Sequence, residues 1–286
     1  MRWLGGRESD NVEDRRGMST GGMVVGGGIG TIIIALIVTL LGGDPSAILG
    51  GGGSDPALTQ QAPAGPQADD QAAKFTRVVL AETEDVWTKL FADQGRQYRK
   101  PTLVMFRQMT QSGCGVASQA SGPFYCPVDQ KVYIDLSFYD ELAQRFQAPG
   151  EFAMAYVIAH EIGHHVQKQL GILDKVDEAR GQVSKRESNR LSVRLELQAD
   201  FFAGVWAHHA QKMQNILEAG DIEAALRAAN AIGDDRIQQE TQGTVVPDAF
   251  THGTSAQRVY WFKKGFETGD LSQGDTFNST EDANLQ

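Results

Sequence analysis

The chain has 286 residues, of which 41 % are hydrophobic and 22 % charged, a globular mixture sufficient for one large domain or a medium domain with appendages. Its formal net charge is −10 and no run of Lys or Arg interrupts it. An acidic surface repels phosphate, so nucleic acid is excluded as a partner.

Residues 1–22 carry Arg2, Arg7, Arg15 and Arg16, and residues 23–43, MVVGGGIGTIIIALIVTLLGG, carry no charge at all. At about 1.5 Å per helical residue, such a segment can cross a hydrocarbon core of about 30 Å. It is longer than a signal-peptide core of roughly 7–15 residues, and no small-x-small cleavage site follows closely, so an uncleaved transmembrane helix is expected. Basic residues precede it and none follows until Lys74. The positive-inside rule then puts the N-terminal segment 1–22 in the cytoplasm and the rest of the chain on the periplasmic or extracellular side of the bacterial inner membrane. Residues 44–73 are rich in Gly, Pro, Ala, Gln and Asp and read as a flexible linker. A domain over 74–275 and a disordered tail over 276–286 complete the expected organisation.

Within the domain, Phe75, Val78, Val79, Val86, Leu90 and Phe91 are spaced for one helix face, with Gly95 as the stop. PTLVMFRQM and KVYIDLSF are β-rich and predict strands, and the second is a candidate edge strand for pairing with an extended peptide. After Tyr139 the pattern is helical nearly to the end, with breaks near Gly150, Gly171–Asp174, Gly220 and Gly233. The expected fold class is α+β: a small early sheet followed mostly by helices. Cys114 and Cys126 sit in turn-like sequence between the two strands. With the domain placed outside the membrane, a Cys114–Cys126 disulfide is expected; two separate thiols are the alternative in a reducing compartment.

The segment AYVIAHEIGHHVQKQLG places His160, Glu161, His164 and His165 in a run that otherwise reads as buried helix. Polar groups in apolar surroundings are costly unless something satisfies them. Residues four apart share a helix face, so His160 and His164 can hold one metal ion while Glu161 stands beside it as a general base. Zinc lowers the pKa of its water toward about 7, and a nearby glutamate can take that proton and later deliver one to a leaving amine. In NRLSVRLELQADFFAGVWAHH, Glu196 and Asp200 are also four apart. Glu196 reads as the third zinc ligand and Asp200 as the carboxylate that orients a ligand histidine; the alternative is a solvent face paired to Arg190 or Arg194. His165 is expected to pack behind the site, and His208 and His209 to lie on the surface. His252 precedes a helix start at which Thr254 and Gln257 fit a capping box. It is either a catalytic residue steadying an oxyanion or a plain loop histidine; Arg258 is a second candidate, by direct charge or by anchoring the loop, and reads first as structural.

Taken together, HEIGHH, ELQAD and FTHGTSAQR, with MRWLGGRESDNVEDRR, GPFYCP and VYIDLSFYDEL, resemble the bacterial family called putative neutral zinc metallopeptidases. The resemblance implies a zincin-type domain anchored in the inner membrane, Zn2+ on His160, His164 and Glu196, and the acid–base role on Glu161. The E-x-x-x-D and T-H-G elements are also similar to membrane-associated gluzincins, in which proline follows T-H; here Gly253 stands there. The expected function is a membrane-anchored zinc peptidase acting on peptide or protein substrates of the cell envelope, with the bilayer as a second partner through residues 23–43. The alternatives are a zinc-stabilised adaptor without catalysis, told apart by a fourth protein ligand, and hydrolysis of a non-peptide amide such as a cell-wall bridge.

Overall fold

The computed structural model describes residues 1–17 and 66–285. Its elements in chain order are β1 (Val12–Asp14), α1 (Pro66–Asp93), β2 (Thr102–Phe106), β3 (Met109–Ser112), β4 (Gly115–Ser118), β5 (Phe124–Cys126), β6 (Lys131–Asp135), α2 (Phe138–Gln144), α3 (Glu151–Leu170), α4 (Ile172–Arg180), α5 (Lys185–Gln214), α6 (Asp221–Ala231), α7 (Asp234–Gln242) and α8 (Ser255–Thr268). The fold is a mixed α/β arrangement in which α1 comes between β1 and the other strands and helices α2–α8 follow them; the expected transmembrane helix is not among the described elements.

The main sheet runs β1-β2-β6-β5, with β1, β2 and β6 parallel and β5 antiparallel to β6. Strand β6, expected as an edge, is therefore internal, and β5 is the edge beside α3. β2 reads as a nearly unbroken apolar run because it is covered on both faces. One face lies on the helices; the other meets the β3–β4 hairpin through Val104, Phe106, Ala117 and Tyr133. The Cys114–Cys126 disulfide ties that hairpin to β5.

Helix α3 is the centre of the helical layer and is buried almost all round. It ends at Gly171, whose φ of 72° is the left-handed cap that favours glycine. Helix α5 starts at Ser184, whose hydroxyl accepts from the Glu187 N–H, and crosses both α3 and α8. The α5–α8 crossing is so close that a Cβ on Gly204 would stand 2.1 Å from the Phe262 carbonyl oxygen, leaving room only for glycine.

Three expectations about organisation change. The transmembrane helix over 23–43 falls outside the described residues, and among the described residues no helix is long and apolar enough to cross a membrane. The single-pass, inner-membrane placement with a cytoplasmic N-terminus is corrected on the geometry of residues 1–17 as well. That reading put them across a bilayer from the domain, yet they are built into it. β1 pairs with β2, Trp3 lies edge-on to Phe75, and the buried Met1 amine pairs with Glu218 at 3.1 Å and Asp221 at 3.2 Å. Arg7, Ser9, Asn11 and Lys100 all donate to the buried carboxylate of Glu84. These contacts give the N-terminal ESDNVEDRR stretch a structural role. Counting flanking charges cannot detect such long-range packing. The bilayer is withdrawn as a partner with the placement.

The second change is at the linker: its last residues, from Pro66, are the first turns of α1. The third is the tail over 276–286, expected to be disordered. Thr276 and Asp282 are fully buried, Thr276 Oγ1 donates to the Arg194 carbonyl at 2.6 Å, and Asp282 pairs with Arg194 at 2.7 Å.

Candidate metal centre

His160 and His164 lie one turn apart on the face of α3 that meets α5, and Glu196 faces them from α5. Glu196 Oε2 is 3.1 Å from His160 Nε2, and its Oε1 is 3.4 Å from His164 Nε2. One ligand atom from each of these three residues lies within 4.8 Å of the other two, so the group could hold a metal ion.

Each imidazole is fixed through its other nitrogen. His160 Nδ1 donates to Asp200 Oδ1 at 2.8 Å. Asp200, fully buried, also accepts from Tyr156 Oη at 2.6 Å and from both ends of the Arg258 guanidinium, at 2.8 and 3.0 Å. His164 Nδ1 donates to Gln167 Oε1 at 2.9 Å. With both Nδ1 atoms so engaged, the Nε2 atoms face Glu196, the arrangement metal-binding histidines use.

The charges point to a cation. Burial alone would lower the pKa of His160, but Asp200 and Glu196 overcome it and push it up to about 10. Burial would raise Glu196, and His164 and His160 hold it well below the usual carboxylate range. Two imidazole nitrogens facing one carboxylate form a set that a divalent metal could bridge, and the N/O donors suit zinc.

Glu161 is 8 % exposed. Burial pushes its carboxyl up, partly offset by the charges of His160 and His164. His165 turns away from the group: its ring meets Tyr125 Oη at 3.2 Å and the Arg99 carbonyl at 2.7 Å, and burial lowers its pKa to about 4.

His252 sits on the loop before α8, where the Thr254–Gln257 capping box is present. Its Nδ1 lies 3.1 Å from Asp234 Oδ1, while Asp234 Oδ2 accepts from the N–H groups of Thr251, His252 and Gly253. Burial would lower the pKa of His252, but Asp234 raises it. Arg258 is tied to Asp200 rather than to the loop. His208 and His209 are partly buried and bond the carbonyls of Phe266 and Gly269, away from the metal group.

Sequence reasoning missed Asp234 and Gln167. Asp234 lies in GDD, which signals only a helix start. Gln167 stands three residues after His164, the correct spacing for a shared helix face, and that was the available signal.

The family model described as "Putative neutral zinc metallopeptidase" matches residues 1–277. The chain is 52 % identical over 288 residues to Escherichia coli K12 "Uncharacterized protein YpfJ", covering 98 % of this chain and 100 % of that protein. It is 44 % identical over 194 residues to "Uncharacterized protein Mb2605" of Mycobacterium bovis and, to the same extent, to "Uncharacterized protein Rv2575" of Mycobacterium tuberculosis, covering 64 % of each chain. No solved structure matches.

Proposed function

The chain belongs to the Putative neutral zinc metallopeptidase family, and from that premise we propose that it is a zinc-dependent peptidase that hydrolyses bonds in peptide or protein substrates. His160, His164 and Glu196 hold the metal, Glu161 moves the proton and His252 stabilises the developing oxyanion. When bound, zinc supplies a Lewis acid that polarises a carbonyl and acidifies water.

The residues of the chain account for the remaining steps. Glu161 is buried beside both imidazoles, and its raised pKa suits a group that accepts a proton from the attacking water and returns it to the leaving amine. Asp234 engages His252 at Nδ1 and favours a proton on the ring, so that positive charge is available where the carbonyl oxygen becomes negative. Edge strand β5, rather than β6, is the strand on which an extended peptide aligns.

The single observation that carries the catalytic reading over a structural zinc site is the size of the ligand group. Among the described residues it contains three side chains, and His165, the nearest further histidine in sequence, has its ring nitrogens turned to Tyr125 and Arg99. Three protein ligands are the catalytic pattern and four the structural one. The test is Glu161→Gln: the variant is expected to bind zinc like the wild type and to lose hydrolysis of a peptide library. Undiminished cleavage would remove the assignment, as would X-ray absorption showing a fourth protein ligand on zinc.

A further inference from the structure

The two imidazoles are anchored differently. His160 rests on charge, through Asp200 and Arg258. His164 rests on a chain of neutral amides that leads out of the site. His164 Nδ1 donates to Gln167 Oε1 at 2.9 Å; Gln167 Nε2 donates to the Leu195 carbonyl at 2.7 Å and to Gln198 Oε1 at 3.1 Å; Gln198 Nε2 donates to the Gly274 carbonyl at 2.8 Å. Gln167 is fully buried and Gln198 nearly so.

Gly274 belongs to a strap over residues 271–285 that lies along α5 and α8. Besides the Thr276 and Asp282 contacts to Arg194, Gln257 Nε2 donates to Asp282 at 3.1 Å and Thr254 Oγ1 donates to the Leu285 carbonyl at 2.6 Å. The strap approaches α5 closely: a Cβ on Gly274 would stand 2.5 Å from the Phe201 ring.

We propose that Gln167 is a positioning residue for the metal ligand His164, and that the C-terminal strap is part of the metal centre because its Gly274 carbonyl orients Gln167 through Gln198. This rests on the reading of His160, His164 and Glu196 as metal ligands. An amide has a donor end and an acceptor end, and in this chain each link sets the next. The strap carbonyl takes the NH2 of Gln198, which turns Gln198 Oε1 toward Gln167. That oxygen, with the Leu195 carbonyl, takes the NH2 of Gln167 and turns Gln167 Oε1 toward His164. The acceptor then requires the hydrogen on Nδ1, which leaves the Nε2 lone pair for the metal. Without the strap Gln198 can turn over and set its NH2 against that of Gln167, which leaves the Leu195 carbonyl alone to hold Gln167 Oε1 toward Nδ1 and loosens the tautomer that binds metal through Nε2.

The test uses the full chain, stripped of metal, and needs no peptidase activity. Zinc affinity is measured by competition with a chromophoric chelator, and ligand geometry by the visible spectrum of the cobalt-loaded protein. Gln167→Leu is expected to lose about 10–100-fold in zinc affinity, the range for losing such a partner, and to alter the cobalt spectrum. Gln167→Glu keeps an oxygen acceptor for the His164 N–H but sets its other oxygen against the Leu195 carbonyl and Gln198 Oε1, so it should recover only part of the affinity. Gly274→Ala, which touches no ligand, should push the strap off Phe201 and weaken zinc severalfold. Wild-type affinity and spectrum in both Gln167→Leu and Gly274→Ala would overturn the inference alone. Should Gln167→Leu not fold, Gly274→Ala decides by the same criterion. A wild-type chain that binds no zinc would instead overturn the metal reading beneath it.

Discussion

Gly163 of α3 lies directly against Ala199 of α5: a Cβ built on Gly163 would stand 3.0 Å from the Ala199 carbonyl oxygen and 3.1 Å from its Cα. The contact falls between the His160 and His164 turns on one helix and beside Glu196 and Asp200 on the other. It sets the helix separation at which Glu196 reaches both imidazoles. Gly163→Val should wedge the helices apart, cost about 1–3 kcal/mol of stability as overpacked sites do, and weaken zinc at least tenfold while circular dichroism stays helical. Wild-type zinc affinity in that variant would show that the crossing does not control the site.

Asp234→Asn tests the loop histidine. Asp234 raises the His252 pKa, so the protonated ring persists to higher pH than an ordinary histidine. Removing the charge should bring the alkaline limb of the kcat/KM profile to lower pH and reduce kcat about a hundredfold, the lower end of the range for general acid–base and electrostatic groups, with zinc affinity retained. A profile that does not move would assign Asp234 to shaping the loop only.

Glu82 provides a pH test remote from the metal. It is 5 % exposed, its Oε2 has no hydrogen-bond partner among the described residues, and burial pushes its carboxyl up to about 8. The fold therefore prefers the protonated acid. Its contribution to stability is complete below the unfolded carboxyl pKa, is lost as pH rises from there through about 8, and is level above that. Glu82→Gln should remove this dependence, raising stability at pH 9 by on the order of a few kcal/mol and leaving it nearly unchanged at pH 4. Equal shifts of Tm at both pH values would contradict the account.

Reduction of the Cys114–Cys126 bridge should loosen the hairpin that covers the outer face of the sheet. Closing so short a loop is worth about 3 kcal/mol. Because the bridge joins the β3–β4 hairpin to edge strand β5, amide exchange should quicken in β3, β4 and β5 before it does in α3. A reduced protein with unchanged Tm and unchanged exchange in the hairpin would rule out that role.

What could be read from the sequence follows the range of the forces involved. The 3.6-residue helical repeat is local, so it placed His160, Glu161 and His164 on one helix and Glu196 and Asp200 one turn apart on another. Gly95 and the Thr254–Gln257 capping box marked helix ends because caps satisfy backbone groups within a few residues.

Only tertiary structure decided which faces meet. The 3.1 Å approach of Glu196 to His160 depends on the Gly163–Ala199 crossing, and no spacing rule encodes that. The Asp234–His252 contact joins two helix starts, and the amide chain from His164 ends on Gly274 more than a hundred residues away. Even the edge of the sheet followed from antiparallel pairing of β5 with β6 rather than from composition. Residues 1–17 were misread for the same reason. Their charges are visible locally, whereas the packing of Trp3 on Phe75 and the convergence on Glu84 exist only once distant segments are brought together.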